Sequence, residues 1–288
     1  MLKRILSLLL ALLIVFSLAV AVFAAEGDST AAPETETVVD EPSEPVSFFV
    51  NGQPVYGYDP CMISGVTYVP VAGFLTAALT ESSIAFQEGQ LIITGVTSSG
   101  EALTVTARYG DSYIVANGRY LYLENKVCYS NGWTMAPIAI LASIFSGTAF
   151  WGNNNDCYAV LGDSLLISGD LFYDTEQLDL LSHLIYAESG NQPLTGKIAV
   201  GNVILNRVED DRFPSTLYDV IYAKNQFCVV RNGTIKLEPN EESIVAAKLT
   251  LEGIRLTNAL YFNRSGLNSW AARNCTYVST IGNHDFYV

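Results

Sequence analysis

Residues 48–75, FFVNGQPVYGYDPCMISGVTYVPVAGFL, return in altered form at 113–141, YIVANGRYLYLENKVCYSNGWTMAPIAIL. A repeat of this kind constrains a fold strongly, because both copies must adopt one local structure and stack to bury an apolar side. Asn51-Gly52 aligns with Asn117-Gly118, Cys61 with Cys128, Gly65-Val66-Thr67 with Gly132-Trp133-Thr134, and Pro70 with Pro137. Within each copy, apolar and polar residues alternate around turn dipeptides and then give way to a short apolar, helix-like run. The pattern predicts hairpins followed by a helix, made twice, in a β-rich domain over 46–166 with half-repeats at 46–95 and 112–162.

Ahead of the repeat, Lys3 and Arg4 precede an apolar run from Ile5 to Phe23. This reads as a secretory signal, residues 1–24, cut after Ala24. Uncleaved, the same run is long enough to anchor the chain in a membrane. Residues 25–45, acidic and rich in Pro, Ser and Thr, have almost nothing to bury and read as a self-repelling linker. An exported chain, secreted or held in a cell envelope, is therefore expected. Its five cysteines are then free to form disulfides. Cys61 and Cys128 hold equivalent repeat positions and form one candidate pair, the alternative being two small buried hydrophobes.

The formal charge of −14 is uneven: from Thr175 onward ten basic residues face twelve acidic ones, and the excess acidity lies upstream. That balance argues against nucleic acid, which demands a basic surface. Residues 163–174 read as a second connector, and beyond it the apolar spacing turns helical. Asp174 with Gln177 three residues on fits a capping box. The helix it opens carries Leu181, Leu184, Ile185 and Glu188 on one face and stops at Ser189-Gly190, with Gly190 read as a left-handed terminator. Further helices are expected from Thr195 to Arg207, around Leu217–Ile221, and from Glu241 to Glu252 behind an Asn240 cap. The closing TYVSTIGNHDFYV reads as a hairpin turning at Gly282-Asn283, so residues 174–288 form a mostly helical α+β domain.

Glu188 is the anomaly. A carboxylate at a helix C-terminus faces the negative end of the dipole, and burial disfavours its charge as well. Both effects favour the protonated form, which a general acid needs. Position alone leaves open a carboxylate that emerges into solvent or pairs with an arginine. Asp179, about half a turn away around the helix, reads as surface. Only His183 and His284 are present, with no cysteine spacing to join them, so no metal site and no cofactor are expected.

The blocks HLIYAESGNQPLTGKIAVGNVILNRV, RFPSTLYDVIY, QFCVVRNG, ALYFN and TIGNHDFY, in that order over about 177–288, resemble the SleB/CwlJ type of cell-wall hydrolase, the spore cortex-lytic family. The resemblance implies a lysozyme-like fold and makes Glu188 the catalytic acid. It implies cleavage of the bond between N-acetylmuramic acid and N-acetylglucosamine as a lytic transglycosylase, with peptidoglycan strands as partner. A hydrolytic muramidase is the alternative, as is a non-enzymatic wall-binding protein. A wall amidase or peptidase would want a metal or a Cys/His pair. The family's blocks suggest Gln226, Phe227, Tyr261, Asn283 and His284 as cleft residues. Each has a structural alternative: a capping amide, core rings, or a turn asparagine. Asp285 in the hairpin is a weaker candidate, while Asn206 and Arg207 read as structural, with Arg207 neutralising its helix's last carbonyls. Ser189 and Gln192 depart from the charged residues many relatives carry. Cys228 and Cys275 flank cleft segments and form a second candidate disulfide. The two-copy region resembles the stalk domain named after the N-terminal region of copper amine oxidase, with no copper implied, and reads as a spacer or wall-binding module.

Overall fold

The computed structural model describes residues 48–152 and 156–288, so the expected signal (1–24) and linker (25–45) lie outside the described residues. The first repeat copy folds as β1 (Phe48–Val50) and β2 (Gln53–Val55) around Asn51-Gly52, then β3 (Cys61–Ile63) and β4 (Val66–Pro70) around Ser64-Gly65, then α1 (Val71–Ala78). Both turns place residues at positive φ, Asn51 at 50° with Gly52 at 76° and Ser64 at 49° with Gly65 at 80°. Such turns match the twist of a tight hairpin and favour Asn and Gly. Three longer strands follow, β5 (Glu81–Gln87), β6 (Gln90–Val96) and β7 (Ala102–Arg108). The second copy repeats the plan with β8 (Tyr113–Ala116), β9 (Arg119–Tyr122), β10 (Cys128–Ser130), β11 (Trp133–Pro137) and α2 (Ile138–Ser143), closing with β12 (Thr148–Trp151) and β13 (Cys157–Val160).

The copies meet on a local two-fold axis. β4 pairs antiparallel with β11, and Val69 stands opposite Ala136, its own repeat equivalent. Pro70 and Pro137 end those strands and open the two helices at the same backbone angle, φ −58°. Proline suits that place, since its fixed φ is compatible with both states and a helix start needs no N–H there. Elsewhere the copies diverge. The sheet order is β12-β13-β1-β2 for one hairpin, whereas β8 and β9 extend the five-stranded sheet β5-β6-β7-β8-β9. The shared core is apolar, with Phe48, Phe74, Leu75, Ile114 and Leu141 fully buried. β5, at the far edge, is exposed at all seven positions, Ile84 and Phe86 included.

The helical part runs α3 (Gly169–Phe172), α4 (Thr175–Ser189), α5 (Leu194–Glu209), α6 (Leu217–Tyr222), α7 (Cys228–Asn232) and α8 (Glu241–Leu251). It ends in β14 (Tyr261–Arg264), α9 (Trp270–Asn274), β15 (Tyr277–Ile281) and β16 (His284–Tyr287), with β16 central in its sheet. Asp174 caps α4 by accepting the Gln177 N–H at 2.9 Å, and Asn240 caps α8 through the Ser243 N–H at 3.0 Å. Gly190 departs from expectation. It is right-handed (φ −54°), and a side chain there would strike Tyr186, so close packing rather than a left-handed cap calls for glycine. Gly201 serves similarly where α5 crosses α8: a Cβ would lie 2.6 Å from Thr250 Oγ1.

The described residues on either side of 163–174 belong to one compact unit. Gly169 N–H donates to Asn117 O at 2.8 Å, and Arg119 reaches Ile167 O at 3.1 Å. From β9, Arg119 also grips Glu252, just past α8, with two bonds of 2.7 Å. The Tyr173 hydroxyl donates to the same carboxylate, and the Tyr120 N–H reaches it at 3.3 Å. Both charges are largely buried, with side-chain exposures of 13% and 7%.

The two expected disulfides are not formed, and all five cysteines are free. The side chains of Cys61 and Cys128 do hydrogen-bond one another, and burial raises both thiols, Cys128 to about 11. Cys228 opens α7, which packs on α4, whereas Cys275 closes α9, which packs on β14.

Candidate active site

α4 buries Leu181, Leu184 and Ile185 completely and carries Glu188 one turn further along the same stripe. Glu188 emerges, partly buried, into a cavity of about 610 Å³. Arg207 from α5, Phe262 from β14 and the stretch from Tyr222 to Arg231 around the α6–α7 turn complete its walls. That turn is held at both ends, by buried Ile221 before it and Phe227 after it, and Asn225 takes a left-handed conformation (φ 62°) between them. The Glu188 side chain makes no hydrogen bond among the described residues. Burial pushes its carboxyl up to about 7, and the cation of Arg207 pulls the other way. Near neutral pH the proton can therefore be given or taken at little cost, as acid–base work requires.

Arg207 is the residue that sequence reasoning misplaced. Its side chain hydrogen-bonds no carbonyl of its own helix among the described residues. Its Nε donates to Leu260 O at 2.7 Å and its Nη1 to Gln226 Oε1 at 3.2 Å. The guanidinium carbon lies 5.1 Å from the ring of Phe213, 5.2 Å from Phe227 and 5.3 Å from Tyr261, an arrangement that favours a desolvated cation. Burial lowers its basicity, while Tyr261 and Glu188 act in the opposite direction. Asn206 is structural, donating to the carbonyls of Thr257 and Ala259.

Of the residues marked from sequence, Glu188, Gln226 and Phe227 share the cavity wall, and Tyr261, Asn283 and His284 are not in it. Tyr261 stands behind Arg207, edge-on to Trp270 at 5.5 Å. The Asn283 N–H donates to Gln192 Oε1 at 2.7 Å, tying the hairpin turn to the segment after α4. Gly282, not Asn283, supplies the positive φ of that turn. The His284 ring packs edge-on against Phe262 at 5.4 Å, behind the cavity wall, and burial lowers its basicity. Asp285 accepts from Thr280 Oγ1 at 2.6 Å and from the Gly266 N–H at 3.1 Å, which keeps it ionised and committed to the hairpin. Asp179 is a surface residue beside His183, at 3.6 Å. Among the described residues, Glu188 is the one carboxylate lining the cavity, and no cluster of three metal-ligating side chains occurs. Tyr222, Lys224, Cys228 and Arg231 also line the cavity, and only their place beside the Gln226-Phe227 block hinted at it.

Residues 191–287 match the family model described as Cell Wall Hydrolase. That match lies within the helical region and takes in α5 through β16. Residues 49–159 match the Copper amine oxidase N-terminal domain. The hydrolase match begins at Asn191, just after Glu188. Over 116 residues the chain is 36% identical to a spore cortex-lytic enzyme of Bacillus cereus, covering 40% of this chain and 45% of that protein. With the enzyme of the same name from Oceanobacillus iheyensis it shares 34% over 116 residues, 40% and 42% of the two chains. The chain thus spans less than half the length of these curated relatives. Among solved structures, the catalytic domain of the germination-specific lytic transglycosylase SleB from Bacillus anthracis is 32% identical, covering 43% of this chain and all of that one, with a TM-score of 0.38.

Proposed function

We propose that the hydrolase domain is a peptidoglycan glycosidase acting as a lytic transglycosylase, with Glu188 as its single catalytic carboxylate and wall glycan strands as substrate. The observation that carries this reading is a carboxyl near pH 7, on the apolar face of α4, opening into a cavity with no second acid in its lining. Glu188, protonated, gives its proton to the oxygen between N-acetylmuramic acid and N-acetylglucosamine as the C1–O bond breaks. As a carboxylate it then takes the proton of the muramic 6-hydroxyl, whose oxygen bonds to C1 and leaves a 1,6-anhydro end. Ordinary retaining or inverting hydrolysis uses two carboxyls flanking the bond, whereas this sequence needs one that changes role. Gln226 and Phe227 border the strand, while Tyr261, Asn283 and His284 support the wall from behind.

The test is a digest of purified vegetative and cortex peptidoglycan by the protein from Ala25 onward and by Glu188→Gln, read by mass spectrometry. Anhydro-muramic ends from the parent alone are the expected result. Reducing ends would change the mechanism to hydrolysis at the same site. A folded protein that binds glycan and releases nothing from either wall would reduce the domain to a binding module.

A further inference from the structure

The cavity is basic in an acidic chain. Arg207, Lys224 and Arg231 line it, against the single carboxyl of Glu188, in a molecule of formal charge −14. Several other cations of the hydrolase domain are already engaged. Lys197 pairs with Glu242, Arg212 with Asp210 at 2.8 Å, Arg255 with Glu209 at 3.0 Å, and Lys248 lies 4.6 Å over the ring of Tyr120. Lys224 and Arg231 are exposed and have neither an ion pair nor a side-chain hydrogen bond among the described residues. Arg207 has no carboxylate within 4 Å among the described residues. Glu188 is the acid nearest to hand, and near neutral pH it is only partly ionised.

The chain geometry fixes this charge where it is. Buried Phe227 and Val229 pin the segment between Lys224 and Arg231, and Gly233, left-handed at φ 82°, ends α7 just beyond. Both cations are therefore held to the cavity rim instead of being scattered over the surface. A cleft lined with one sign of charge concentrates ligands of the opposite sign. A guanidinium and an ammonium both match carboxylate oxygens.

We infer that Lys224 and Arg231, backed by Arg207, form a subsite for carboxylates carried by the glycan strand, so that the preferred substrate has ionised acid groups on its muramic residues and not neutralised ones. The inference rests on the glycosidase reading and sharpens it. Two sources share the chemistry, the lactyl carboxylate itself and the acids of a stem peptide, and the substrates below separate them.

The experiment uses the protein from Ala25 onward and three strand preparations: peptide-bearing, peptide-stripped with free lactyl acids, and carbodiimide-amidated. The expected kcat/KM is about tenfold lower on amidated than on peptide-bearing strands, since two solvent-touching ion pairs contribute a factor of a few each. That ratio shrinks at high salt. It collapses toward one in Lys224→Gln/Arg231→Gln and returns in Lys224→Arg/Arg231→Lys. Stripped strands that behave as peptide-bearing ones assign the preference to the lactyl acid, and stripped strands that behave as amidated ones assign it to the peptide. Equal kcat/KM on acidic and amidated strands, or a ratio that survives the double variant, overturns the inference while leaving the glycosidase intact. If no strand is cleaved, the glycosidase reading fails separately. Retention of the three preparations on immobilised Glu188→Gln then decides the subsite, equal retention sinking it.

Discussion

At the scale of single residues, Glu188 and Arg207 are set against each other. Burial raises the Glu188 carboxyl to about 7, and Arg207 opposes that rise. On the proposed mechanism Glu188 must be protonated to start the reaction, and it loses its acid form as pH climbs through its pKa. kcat/KM should therefore fall above about pH 7, because that parameter reports the free enzyme. Removing the cation in Arg207→Met takes away the opposing effect, so the falling limb should move to higher pH by about one unit. Arg207→Lys should keep it near its original place. Superimposable pH–rate profiles for the parent and Arg207→Met would show that the two charges are not coupled. Glu188 was legible in sequence because an acid on an apolar stripe breaks a short-range pattern. Arg207 was not, because its carbonyl partner, Leu260, lies 53 residues away and nothing near Arg207 announces it.

Among the elements, the repeat was the most informative signal, and the hairpin–hairpin–helix plan it implied is the one observed. Which sheet each hairpin joins was not readable. β1–β2 and β8–β9 are sequence equivalents, yet one pair meets β13 and the other meets β7. Strand partners are chosen by long-range packing, to which local alternation is blind. The cysteines show the same division. Cys61 and Cys128 hold equivalent positions, and their thiols are in contact though unbridged. Treatment with oxidised glutathione should link them, as read by peptide mapping without reductant, whereas Cys228 and Cys275 should remain available to a thiol-blocking reagent. Closing so long a loop should add roughly 4 kcal/mol to unfolding of the β-rich part in the chain-entropy account. Cys128→Ser should abolish both effects, and a Cys228–Cys275 link in the map would contradict them.

For the whole molecule, the ion pair between Arg119 and Glu252 ties the β-rich part to the helical part. Its partners are 133 residues apart and neither stands out in sequence, so residues 163–174 read only as a connector. Breaking one side of a buried pair strands the other charge, at a cost of about 3–5 kcal/mol. Arg119→Ala should lower the denaturant midpoint accordingly, and unfolding should separate into two transitions followed by different probes. A single transition at the parent's midpoint would mean that the pair contributes nothing to joining the two parts.

That contact also bears on modularity. The carboxylate of Glu252 is shared by the Arg119 guanidinium, the Tyr173 hydroxyl and the Tyr120 backbone. A β-rich domain built to satisfy one acid at the end of one helix cannot be exchanged freely among catalytic partners. A chimaera that keeps residues 48–166 and receives a different hydrolase must bring an acid to that same spot, or leave a cation buried without its counter-charge.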